Sequence, residues 1–148
     1  AAQGALLRKP DAGGGTTVRP EVAIVNDWES RWALGLTQGP RQGQGGWDGR
    51  FDKEYIRTLT EHYRPFWKLG IAVDVIESLS SFDRYKLVVA PMLFMLKPGV
   101  VERLLAWVKC AATLVLTYLS GIVDPTNTVF RGGWPGGGLR PTQWWPCC

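Results

Sequence analysis

Four short runs dense in valine, isoleucine and leucine recur along the chain, at residues 21–26 (EVAIVN), 72–76 (AVDVI), 87–90 (LVVA) and 113–118 (TLVLTY). Runs of this length, bounded by turn residues and mostly continuous rather than alternating, read as strands buried on both faces. Between them the spacing changes. Residues 53–69 carry Tyr55, Ile56, Leu59, Tyr63, Phe66 and Trp67 at intervals of one, three and four, which form one helical face. Asp52 is placed as the N-cap of that helix and Gly70 just past its end, while Pro65 removes a backbone donor in its last turn. Pro98 is placed at the first position of another helix, with Val101, Leu104, Leu105 and Val108 on one face. A third helix is expected over 28–36, where Asp27 is the N-cap and Glu29 in the first turn suits the positive helix end.

The expected order is strand, loop, helix, strand, strand, helix, strand, with the helical-looking 28–36 counted at the start of the segment read as loop. Such alternation points to an α/β fold with a covered, mainly parallel sheet. A flavodoxin-like, doubly wound sheet with helices on both faces and right-handed crossovers is the economical solution. Class I glutamine amidotransferases share that sheet type. A short helical crossover is expected within 78–86, between two strands that lie close in sequence. Residues 1–19, rich in Gly, Ala and Pro, read as a lead-in, and 35–49 (GLTQGPRQGQGGWDG) as a long polar loop. No regular element is expected after Phe130.

At 148 residues, 45% apolar and 20% charged, the chain can bury one ordinary core. Its formal charge of +4 comes from scattered Lys and Arg without a basic block, so no nucleic-acid partner is expected. The longest apolar stretch, 87–96, is broken by Pro91 and is about half of a membrane span, and no apolar leader is seen near residue 1. No membrane partner is expected either. Three cysteines, two of them adjacent (Cys147 and Cys148), make no disulfide framework or metal motif, which points to a reducing, cytoplasmic setting.

Signals for chemistry are sparse. No GxGxxG or phosphate-binding loop follows a strand, so no nucleotide cofactor is expected, and no metal. The turn after 87–90, where an amidotransferase carries its cysteine nucleophile, reads PMLFML. The one histidine, His62, precedes it on a helix, and Cys110 ends a helix, where the dipole disfavours a thiolate. Nucleophilic catalysis is therefore not expected. Asp27 and Glu29 remain, at the end of the first strand, where open α/β sheets bind ligands. They are either an acid/base pair of the kind glycosidases use or the capped start of a helix, and the helix start is the simpler reading.

Four ordered blocks, PEVAIVNDWESRWAL, YRPFWKLGIAVDVI, YKLVVAPMLFML and TLVLTYLSGIVD…VFRGGWPGGGLRP, together resemble the middle domain of glycoside hydrolase family 42 β-galactosidases. The resemblance covers residues 20–141, leaving 142–148 as an irregular tail. It implies a flavodoxin-like domain that builds a trimer and follows a catalytic TIM barrel carrying both catalytic glutamates. Asp27 and Glu29 match the DWE of the middle domain and are then structural, so the chain holds no catalytic residue. It reads as a non-catalytic assembly fragment whose partners are copies of itself, with a trimer favoured, or a barrel-bearing β-galactosidase subunit. Trp28, Trp32 and Trp134 are the candidate interface residues. The alternative is a stand-alone sugar-binding module or hydrolase, with Trp28 or Trp32 stacking on a sugar beside Asp27 and Glu29. The family pattern has Gly-Gly before TLV where this chain has Ala111-Ala112. Glycine there commonly ends the helix in the left-handed conformation, so alanine is expected to cost about 1 kcal/mol if that geometry is kept.

Overall fold

The computed structural model describes residues 18–37 and 53–139. The lead-in before residue 18, the loop at 38–52 with Asp52, and the tail with Trp144 and Trp145 lie outside the described residues. The elements in chain order are β1 (Val22–Val25), α1 (Trp28–Leu36), α2 (Tyr55–Lys68), β2 (Val73–Ile76), β3 (Leu87–Ala90), α3 (Val100–Val108) and β4 (Thr113–Leu116). All strand pairs are parallel, and the sheet order is β2-β1-β3-β4. The register runs Val75–Ile24–Val89–Val115 across one row.

Successive strand residues point to opposite faces. Ala23, Val25, Val88 and Ala90 point into the larger core cluster, which α3 completes with Val100, Val101, Leu104 and Trp107. Ile24 and Val89 point the other way and are also buried, so the two central strands are covered on both sides. A second cluster joins Ala33 and Leu34 of α1 to Tyr55, Met92, Phe94 and Val123. The expectation that β4 is as buried as its neighbours fails. Its residues alternate between exposed and half-buried because it is an edge strand of the described sheet. So is β2, whose residues are likewise half-buried or exposed.

The helix ends show where local chemistry prevails. α1 begins as expected: Asp27 is extended and its carboxylate accepts from the Ser30 amide at 2.8 Å. α2 runs through Pro65 to Lys68 and closes on Gly70, with φ of 66°. There the Ile71 amide donates to the Phe66 carbonyl at 2.9 Å and Gly70 to Trp67 at 3.1 Å, a paired closure that satisfies two terminal carbonyls. Three expectations need correction. The residue flanking the start of α2 is Glu54, itself left-handed and without a side-chain cap, so Asp52 is not the N-cap. α3 begins at Val100 with Gly99 at its N-cap, so Pro98 stands outside the helix in the preceding turn. Residues 77–86 cross between β2 and β3 through turns alone, without a helix. Residues 131–139 fold back without a regular element and bury Leu139 in the larger cluster.

Ala111, just past α3, has φ of 63°. The left-handed geometry that glycine would favour is therefore kept with a Cβ attached. Ala111→Gly is expected to stabilise the protein by about 1 kcal/mol, a rise of roughly 4 °C in midpoint. Thermal denaturation followed by circular dichroism checks this, and an unchanged or lowered midpoint would contradict it.

Candidate functional site at the strand ends

In a sheet of this order the connections leave β1 and β3 in opposite directions, opening a crevice beyond their carboxyl ends. The sequence puts Asp27 and Glu29 there, and three connections converge on them. Asp27 is fully buried. One carboxylate oxygen accepts from the Ser30 amide at 2.8 Å, while the other accepts from the Ser78 hydroxyl and lies 2.9 Å from the Lys97 ammonium. The backbone amide of Asp27 donates to the Tyr55 hydroxyl at 2.8 Å, tying α2 to the same point. The Ser30 hydroxyl, on α1, accepts from the Met95 amide at 3.0 Å.

Lys97 is the residue that sequence reasoning missed. Its side chain is 9% exposed and its ammonium also pairs with Glu29 and, at 3.0 Å, with Glu77. One cation from the β3–α3 connection thus binds carboxylates from the β1–α1 and β2–β3 connections. Burial pushes the Asp27 pKa up, but hydrogen bonds from Ser78, the Ser30 amide and Lys97 outweigh it, leaving the carboxyl below its ordinary range. Burial likewise pushes Lys97 down, and its bonds to Glu29, Asp27 and Glu77 more than reverse that. Both groups are held charged.

Asp27 lacks what a general acid needs. A general acid must keep its proton at working pH and reach the substrate, whereas Asp27 is ionised and has no exposed surface. One oxygen each of Asp27, Glu29 and Glu77 lie within 4.8 Å of one another, a donor type that suits a divalent cation. The Lys97 ammonium already stands within ion-pair distance of all three.

Elsewhere the turn after β3 has the backbone of a reactive elbow without the chemistry. Met92 has φ of 46°, is fully buried, and donates its amide to the Thr117 hydroxyl at 2.8 Å. His62 bonds the Thr58 carbonyl within α2 at 2.8 Å, and Cys110 is exposed beyond the end of α3. A groove of about 590 Å³ lined by Val18, Tyr63, Trp67 and Ile71 lies beside the start of β2. Asp74, the acid that reaches it, is paired with Arg84 and accepts from Tyr85. Of the candidate tryptophans, Trp28 and Trp32 lie on α1 and Trp134 in the fold-back after Phe130; all are at least half exposed, at 50%, 57% and 63%.

Comparison with known proteins decides the family. Residues 20–143 match the family model described as the β-galactosidase trimerisation domain. The chain belongs to that family. The trimerisation domain is 46% identical over 142 residues to the β-galactosidase Pbg of Clostridium perfringens, covering 96% of this chain and 19% of that protein. It is 44% identical over 135 residues to the β-galactosidase BglY of Alicyclobacillus acidocaldarius, covering 91% of this chain and 18% of the relative. Among solved structures, the β-galactosidase from Rahnella sp. R3 superposes with a TM-score of 0.71 at 43% identity, over 82% of this chain and 17% of that one. The family 42 β-galactosidase Gan42B gives 0.70 at 45% identity, over 81% and 16%. The chain therefore spans less than a fifth of the length of these relatives.

Proposed function

We propose that this chain is the non-catalytic assembly unit of a family 42 β-galactosidase, acting by self-association into a trimer that brings catalytic subunits together. The match of residues 20–143 to a trimerisation domain carries the reading. The strand-end crevice supports it, since the acids there are spent on Lys97. A barrel-bearing β-galactosidase chain is the natural companion, in the reducing cytoplasmic setting that the cysteine usage favours.

Two outcomes are expected of the purified chain. Sedimentation equilibrium across a hundredfold concentration range should show reversible association fitted by a monomer–trimer scheme. Hydrolysis of a chromogenic β-galactoside should stay at background. A monomer throughout that range would remove the assembly role, and turnover abolished by Glu29→Gln would establish a hydrolase instead.

A further inference from the structure

We infer that the outward ridge of α1, formed by Trp28, Trp32 and Leu36, is the surface on which a second copy of this chain docks. The inference rests on the proposed self-association and names its surface. α1 has two unlike faces. Ser30, Ala33 and Leu34 are buried, whereas Trp28, Trp32 and Leu36 are 50%, 57% and 68% exposed. Their spacing of four residues builds one continuous ridge, the kind that seats in the groove of a packed neighbour. The two indole rings lie 6.3 Å apart at 45°, and the Arg31 guanidinium stands 5.3 Å above the Trp28 ring. Tryptophan and arginine gathered at the centre of an apolar patch are the composition of interface hot spots.

Area points to a protein partner. Half-exposed indoles and a mostly exposed leucine present on the order of 300–400 Å² of apolar surface, the range of the largest patch on an ordinary monomer and often a functional one. A stable interface needs about 800 Å² per partner, so this ridge fills roughly half of one and requires polar surroundings for the rest. A flat protein face supplies that; a single sugar ring does not.

The ridge is also held in place before any partner arrives. Asp27 caps α1, Lys97 clamps Asp27 and Glu29, and the Ser30 hydroxyl is fixed by the Met95 amide. Little ordering is left to be done on association. The occupant is another copy because the family to which the chain belongs is described by trimerisation. In a closed ring of three, the ridge of one copy meets a different surface of the next, so it need not complement itself.

Sedimentation of the whole chain tests this with Trp28→Gln/Trp32→Gln, with Leu36→Lys, and with Trp67→Gln as an exposed aromatic control on α2. The double variant should weaken association at least a hundredfold, and Leu36→Lys at least tenfold, with circular dichroism spectra and thermal midpoints close to the parent. Trp67→Gln should associate like the parent. Leu36→Lys keeps the test alive if the double variant misfolds, since it suits the negative end of the helix. Parent-like association by a folded double variant or by Leu36→Lys would overturn the assignment while leaving self-association standing. A parent chain that is itself monomeric would overturn both.

Discussion

Val89→Asp is expected to abolish cooperative folding. Val89 is 4% exposed at the centre of the sheet, with Ile24 beside it on one strand and Val115 on the other. An aspartate there must either stay charged without a partner or take up a proton at a cost, and it also loses the packing of two methyl groups. Stranding a charge in such a place costs several kcal/mol, comparable to the roughly 5–15 kcal/mol that holds a whole domain together. The same substitution one strand over provides the control. Val115 lies in the same row but on the edge strand and is 39% exposed, so Val115→Asp keeps its carboxylate hydrated and is expected to cost about 1 kcal/mol. Thermal melts of the soluble fractions should show no transition for Val89→Asp and a modestly lowered one for Val115→Asp. Equal behaviour of the two would mean that burial along this row is not what distinguishes them.

That contrast also shows what a linear sequence reveals. The bounds of β3 are read directly from LVVA, because a central parallel strand leaves a continuous apolar run with no alternation to misread. β4 has the same composition and is read two residues too long and too buried, since edge or centre is a matter of pairing with residues elsewhere in the chain. The start of α1 is legible because Asp27 caps its own helix three residues on, a local interaction. The starts of α2 and α3 are not. They rely on left-handed Glu54 and Gly99 rather than on a side-chain cap, and Pro98 mimics a first-turn proline two residues early. Gly70 and Ala111 are legible as helix stops, one from its residue type and the other from the family pattern it departs from.

The strand-end cluster was only half visible for the same reason. Asp27 and Glu29 stand out, but the residues that decide their role are far away: Tyr55 is 28 positions from Asp27, Ser78 is 51, and Lys97 lies 68 from Glu29. A signal existed in the residue type. Lys97 follows ten residues, 87–96, that carry no charge, and a lone cation at the end of such a run needs a compensating acid when buried. Sequence could pose that need and could not name the partner. Once the partners are known, the same DWE that looks like a catalytic pair becomes the anchor of α1, and through α1 of the tryptophan ridge.

Lys97→Met is the sharpest probe of that anchor. Removing the ammonium leaves Asp27 fully buried with its charge uncompensated and Glu29 and Glu77 nearby, a loss expected to cost about 3–5 kcal/mol at neutral pH. Adding Asp27→Asn should recover part of it, because the amide can still cap α1 while the stranded charge is gone. The pH dependence carries the sign. In the parent the Asp27 pKa lies below its ordinary 3.8, so its contribution is complete above that value and is lost as pH falls through the lowered one. Lys97 lies above its ordinary 10.5, so its contribution is complete below that pH and fades only as pH rises further through the raised value. Without Lys97, burial of Asp27 is no longer offset by the cation and its pKa rises. The variant then gains relative to the parent as acid protonates Asp27. Urea denaturation from pH 3 to 8 should therefore give a stability gap that is widest near neutrality and narrows below about pH 4. A gap that stays constant across this range would mean that the loss in Lys97→Met does not come from stranding the Asp27 charge, and no gap at all would mean that Lys97 acts through its apolar stem, which methionine keeps.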